Sequence, residues 1–357
     1  WAAASGFFCG MMFSTKETCI IAFGAMLAAL FLTRISLKKP IQKDDVPVIP
    51  KISHLLVFLG TGALVSLVLY SSFFQNPKGI LDSVLAFGTY FGRAGDAGFH
   101  SHPFYYYVKM LVFSQYGNGP VWSEALVLLL ALVGCYAAFQ PSPHRESSPF
   151  FLRFLAFYTL LSTAVYSLIP YKTPWNMLPF YIGFILLAGY GASFLLKISK
   201  KMIFRTAVVL AFVLSLFHLA IQCSYANFKY HADSRNPYVY SHTSSDFLNL
   251  VNRINDLSPH HPDLKQILIK VITPPEEAWP LPWYLRSYGR VGYWQEVEEA
   301  GTLADVPIII SSSDKTTQLQ SYLEESHLLE YYELRPGILL ALHIEQSLWE
   351  DFFQRKK

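Results

Sequence analysis

Runs without a charged side chain alternate with short polar links across residues 1–224, and the pattern changes abruptly after that. The run Ile52–Asn76 is 25 residues without an Asp, Glu, Lys or Arg. A helix needs about 20 apolar residues to cross a bilayer core, so this is a span. Thr18–Thr33, Val121–Phe139, Phe154–Pro170, Met177–Leu196 and Thr206–Ser224 read the same way, and Trp1–Thr15 is a shorter uncharged run. Together they predict about six to seven spans. The longest polar link, residues 77–120, contains Gly79–Tyr90, whose apolar positions recur at helical spacing and suit a helix lying in the interface plane.

Beyond residue 224 the pattern is that of a water-facing fold. Ser244–Leu257 has a helical period with Ser244 or Ser245 as its cap, and Asp314–Glu325 is a second helix. Gln266–Ile272 and Val306–Ile310 are β-branched runs. His327–Leu334 and Gly337–Ile344 form a hairpin across Arg335-Pro336-Gly337. Alternation of this kind predicts a small α/β domain with a largely parallel sheet. The expected architecture is therefore an α-helical multi-pass membrane domain over 1–224, followed by a small α/β domain over 225–357. No Gly-rich loop follows any predicted strand, so nucleotide binding is not indicated; no nucleic-acid partner is expected.

Charge assigns sides to this layout. Residues 1–223 hold 16 basic and 7 acidic side chains, whereas residues 224–357 hold 12 and 18. If the loops at 34–51, 144–153 and 197–205 share one side, they carry 11 of those 16 basic residues. The positive-inside bias makes that side cytoplasmic. Lys16-Glu17, the 77–120 loop, the Tyr171-Lys172-Thr173-Pro174-Trp175 turn and the C-terminal domain are then extracytoplasmic, with the chain in the cytoplasmic (inner) membrane. The four cysteines, Cys9, Cys19, Cys135 and Cys223, all lie in apolar segments and offer the C-terminal domain no disulfide framework. Trp1 lies in an apolar run with no basic region before it, so no signal peptide is read there. The chain is expected to be the C-terminal portion of a longer protein.

Candidate chemistry gathers on the outer side. Lys172 sits between two spans in a turn held by Pro174 and flanked by Tyr171, Trp175 and Asn176. It reads either as a charge-assisted contact to a lipid phosphate or as a snorkelling anchor in an aromatic belt. Lys16-Glu17 interrupts two apolar runs, where charge is costly. Either the two pair with each other, or Lys16 suits a phosphate and Glu17 a hydroxyl, against the plain reading of a short exposed loop. Arg93, in a Gly-rich loop, meets a phosphate or water. Asp96, His100 and His102 offer an acid/base group or the polar lining of an acceptor cavity, with Tyr105 and Tyr106 stacking on a sugar or seating an interfacial helix. The His spacing before proline is poor for a metal, so no metal ligands are assigned and no cofactor is required; a divalent cation is left open. Trp279–Arg286 offers tryptophans that can stack on sugar rings, but reads first as a docking surface or a core plug.

Several of these stretches resemble one family. Gly10-Met-Met-Phe-Ser-Thr-Lys16-Glu17 is similar to a helix of membrane glycosyltransferases of the protein-mannosyltransferase type. His102-Pro103-Phe104-Tyr105-Tyr106-Tyr107, the Tyr171–Trp175 turn and Trp279-Pro280-Leu281-Pro282-Trp283-Tyr284-Leu285-Arg286 resemble multi-pass proteins described as flippase-activity-associated and glycosyltransferase-like (GT-C type). The resemblance spans residues 1–295, and residues after 300 do not share it. It implies transfer of a sugar from a polyprenyl-phosphate donor to a glycan, lipid or protein acceptor on the outer face, with Lys16, Arg93 and Lys172 at the donor phosphate. The catalytic acid of such enzymes follows their first span, a region not contained here. The rival expectations are a non-catalytic, flippase-associated binder of polyprenyl-linked sugar and a secondary transporter.

Overall fold

The computed structural model describes residues 1–37, 51–94, 101–141, 148–198, 201–323 and 326–355. The chain divides into two compact units, Trp1–Ser224 and Tyr225–Lys357.

The first unit is all helix: α1 (Ala2–Thr15), α2 (Cys19–Ser36), α3 (Ile52–Tyr70), α4 (Lys78–Ala94), α5 (Tyr106–Val112), α6 (Ala125–Phe139), α7 (Pro149–Leu168), α8 (Leu178–Ile198) and α9 (Met202–Ser224). Among the described residues five helical segments are long and apolar enough to cross a membrane: Cys19–Ser36, Ile52–Tyr70, Pro149–Leu168, Pro174–Ile198 and Met202–Lys229. α6 is not among them. Residues 121–124 of the expected span are spent on an isolated bridge, Ser114 to Trp122, and on the turn into the helix. The remaining 15 residues reach only about 22 Å at 1.5 Å per residue. α4 confirms a helix where the 79–90 periodicity predicts one.

Between apolar helices the hydrophobic effect gives little preference, and small residues that allow close approach decide the pairing. α1 crosses α3 where Gly6 and Gly10 face the backbone of Phe58 and Gly62. α6 crosses α8 where a Cβ on Gly134 would collide with the Leu187 carbonyl, and one on Gly191 with the Leu130 carbonyl. α2 lays Ala22, Ala25, Ala29 and Thr33 against α7, and Arg153 Nη1 donates to the Ser36 carbonyl at 2.7 Å. α3 meets α1 along one face but fully buries none of its residues among those described, so the rest of its apolar surface is exposed.

The second unit contains α10 (Ser245–Leu257), β1 (Leu268–Ile272), α11 (Pro275–Ala278), α12 (Leu281–Tyr284), β2 (Arg290–Trp294), β3 (Ile308–Ser312), α13 (Thr316–Leu323), β4 (His327–Arg335), β5 (Ile338–Glu345) and α14 (Gln346–Arg355). The sheet order is β2-β1-β3-β5-β4. β2, β1 and β3 are parallel, but β5 is antiparallel to both β3 and β4. The expectation of a largely parallel sheet is thus corrected to a mixed one: the terminal hairpin docks its second strand on β3, which forces the antiparallel pairing.

Alternation along the strands separates two apolar layers. Ile269, Val271, Ile308 and Ile310 face α10, α12 and α14 through Leu250, Ile254, Leu281, Leu285, Leu348 and Phe352. Ile272 and Ile309 face Val297, Leu303, Leu319 and Leu323 on the other side. Trp279–Arg286 divides accordingly. Leu281 and Leu285 plug the core, whereas Trp279 and Trp283 are 61% and 57% exposed. α10 begins as predicted, with Ser244 Oγ accepting from the Phe247 amide at 3.2 Å. Ser244 also ties the helix to the sheet edge: its amide donates to Leu334 O at 2.9 Å, and Asp246 Oδ2 accepts from the Glu333 amide at 2.8 Å.

Candidate functional site

Three segments converge at one end of the helical unit. The link between α7 and α8 contains a 3-10 turn, Pro174–Met177; Pro174 in that turn and Pro179 in the first turn of α8 fix a sharp reversal. The segment before α5 docks on it: Ser101 bridges Tyr171, and the His102 amide donates to Pro170 O at 3.1 Å. The α1–α2 turn meets it from the third side, where Lys16 Nζ donates to Asn176 Oδ1 at 3.1 Å and lies 6.0 Å from the centre of the Trp175 ring.

Lys172 is the centre of this joint. It is 1% exposed, and its ammonium donates to the carbonyl of Ile169 and, at 3.0 Å, to that of His102. Burial pulls its pKa below the ordinary lysine value. Two of its three protons are therefore spent on main-chain oxygens that join the turn to the 102 segment. Neither sequence reading anticipates this, since a snorkelling lysine and a phosphate ligand both present the ammonium to the outside.

Tyr107 is the second fastener. Its ring is 1% exposed and packs edge-on against Phe180, and its hydroxyl donates to Thr173 O at 3.3 Å. The chosen aromatic candidates lie around it. Tyr106 stacks on His102 at 4.2 Å between ring centres, and burial raises its phenol to about 12. Tyr105 is 49% exposed. Tyr107 belongs to the same Tyr-Tyr-Tyr run, and only the helical phase of α5 tells which of the three points inward. Thr173 Oγ1 is buried with no hydrogen-bond partner among the described residues.

Lys16 differs from Lys172 in being half-buried. Desolvation lowers its pKa, and the neighbouring Glu17 carboxylate opposes that shift. One proton goes to Asn176 Oδ1, an amide oxygen that neutralises nothing. A desolvated ammonium beside an indole face and a carboxamide, at the end of the α8 span, is suited to an anion carried on a lipid. Trp175, Asn176 and Tyr171 are thus brought to Lys16, Glu17, Lys172 and His102. The Arg93 side chain, Asp96 and His100 lie outside the described residues. Among the described residues no group of three or more His, Cys, Asp or Glu is arranged to hold a metal.

No family model, no curated protein and no solved structure matches the chain.

Proposed function

We propose that the chain is a multi-pass membrane glycosyltransferase, of GT-C-like architecture with six to seven spans in the cytoplasmic membrane. It moves a sugar from a polyprenyl-phosphate donor to an extracytoplasmic glycan, lipid or protein acceptor, and its α/β unit faces outward. The observation that carries the reading is the contact of half-buried Lys16 with Asn176 and Trp175 at the end of an apolar helix. In this arrangement Lys16 is the ligand of the donor phosphate, Trp175 sits at headgroup depth, and Asn176 aims the ammonium. Lys172 and Tyr107 hold the turn that presents them. Glu17 is the nearest carboxylate to Lys16 in sequence and the one available to orient a hydroxyl.

The test uses the full-length protein in nanodiscs with a polyprenyl monophosphate as ligand. A charge-assisted hydrogen bond contributes about 1.5–3 kcal/mol, so Lys16→Gln should weaken binding about tenfold to a hundredfold. Unaltered affinity in that variant removes Lys16 from the phosphate site. Supplying a radiolabelled polyprenyl-phosphate sugar with membrane acceptors separates the two remaining readings. Release of free polyprenyl phosphate identifies a transferase, whereas tight retention of the intact donor identifies the non-catalytic, flippase-associated binder.

A further inference from the structure

The second unit carries a site unrelated to the Lys16 cluster. β1 and β3 are adjacent parallel strands, and their outgoing connections leave on opposite faces of the sheet. The chain after β1 places Leu281 and Leu285 in one apolar layer, and the chain after β3 places Leu319 and Leu323 in the other. Divergence of this kind opens a crevice beyond the carboxyl ends of the two strands, which is where open α/β sheets take their ligands.

What lines that crevice points to a ligand. Thr273 follows β1, Ser312 ends β3, and Thr316 begins α13. All three residues are at least nine-tenths buried, at 3%, 2% and 5% exposure, and Thr273 Oγ1, Ser312 Oγ and Thr316 Oγ1 have no hydrogen-bond partner among the described residues. A buried hydroxyl without a partner is costly, and the register that sets Ile272 beside Ser311 brings Thr273 next to Ser312, with Thr316 one turn further along the chain leaving β3. Two carboxylates stand at the same end: Glu277 from α11 and Asp314 from the turn after β3, close enough that Asp314 acts electrostatically on Glu277. Two cations balance them: Lys315, which also pairs with Glu296 at 2.6 Å, and Arg335, whose guanidinium also meets the Glu276 carbonyl, both act on the Glu277 carboxylate. Exposed Trp279 follows Glu277 by two residues, on the chain leaving β1.

We propose that this crevice binds a neutral carbohydrate. Carboxylates that accept, hydroxyls that both donate and accept, and an indole face are the groups that recognise a sugar ring. With two carboxylates set beside Lys315 and Arg335 the site has no excess of either charge, which favours neither a phosphate nor a metal cation, and hydroxyls are weak ligands for the latter. The inference is independent of the phosphate reading of Lys16. Because the hydroxyl oxygens are covered, the ligand enters by parting the turns after β1 and β3.

Saturation-transfer NMR on the full chain in nanodiscs, free of sugar-headed detergent, tests the site with methyl glycosides of glucose, mannose and arabinose. At least one should receive saturation from the wild-type protein. Glu277→Gln combined with Asp314→Asn should reduce the transfer at least fivefold. Thr273→Val removes an unpartnered hydroxyl at constant shape, so it should lower the transfer without lowering the melting temperature, which keeps the test decisive if the double variant misfolds. No transfer to any of the three sugars overturns the proposal, as does transfer that survives both the double variant and Thr273→Val. Calorimetric uptake of Ca²⁺ that those variants abolish, without sugar binding, also overturns it in favour of a cation site.

Discussion

His343 makes the stability of the α/β unit depend on pH, with a sign and size that can be worked out. It lies on β5, 2% exposed, with its Nε2 3.3 Å from Ser311 Oγ across the sheet. In register it faces Ile309 on β3 and Leu329 on β4. Burial, helped by the His327 ring, lowers its pKa from 6.5 to about 4. The unfolded chain therefore takes up a proton between about pH 6.5 and pH 4 that the folded chain refuses. Stability is complete above the unfolded value and declines as pH falls through that window. At 1.36 kcal/mol per pKa unit, going from pH 7 to pH 5 removes about 2 kcal/mol, and the full loss below pH 4 is about 3 kcal/mol. Four of the chain's seven tryptophans (Trp279, Trp283, Trp294 and Trp349) lie in this unit, so urea unfolding followed by tryptophan emission at the two pH values reads the effect. His343→Gln keeps a hydrogen-bonding partner for Ser311 but cannot titrate. Its stability should change by well under 1 kcal/mol over the same interval. A variant that loses as much as wild type would show that some other group carries the dependence.

Other perturbations follow from the same geometry. Lys172→Met leaves the Ile169 and His102 carbonyls without their donor, at about 1–3 kcal/mol for each orphaned group, and should lower the melting temperature of the helical unit. A Lys172→Met protein that melts like wild type but no longer binds polyprenyl phosphate would return Lys172 to the donor site. Gly191→Val forces a side chain into the Leu130 carbonyl and should abolish a monodisperse gel-filtration peak; Gly189→Val, two residues away and facing open space, should leave it intact. Equal behaviour of the two would mean that α6 and α8 do not cross there. Ser244→Ala removes a cap and should cost about 1 kcal/mol in the urea midpoint of the α/β unit, and no change would discount the capping bond.

Elements with strong local signals were readable from the sequence. The α10 cap, the β1 and β3 runs and the terminal hairpin all fall within two residues of their expected places. β2 was not readable, because Arg-Val-Gly-Tyr-Trp is five residues at a sheet edge with neither alternation nor a continuous apolar run. α14 begins directly at the end of β5 with no turn residue to mark the change. The mixed direction of the sheet depends on which strand the hairpin joins, and that contact is non-local. At the site, the sequence identifies the turn, the Lys16 pair and the His-Pro-aromatic run as exceptional. It does not say that two lysines of the same charge have opposite surroundings. Lys172 ends among carbonyls because the 102 segment folds over it, and residues 70 positions apart meet only in three dimensions.

The tie between α10 and β4 has a consequence for association. A sheet with exposed outer strands invites another chain to add itself by main-chain pairing. Here the main chain of β4 at Glu333 and Leu334 is already taken by Ser244 and Asp246, so β4 is interrupted as a template near its carboxyl end. The opposite border is β2, only five residues long with a charged Arg290 at its start, a short template for a guest strand. The α/β unit is thereby biased against joining copies of itself edge to edge, an advantage for a domain held at high local density on a membrane.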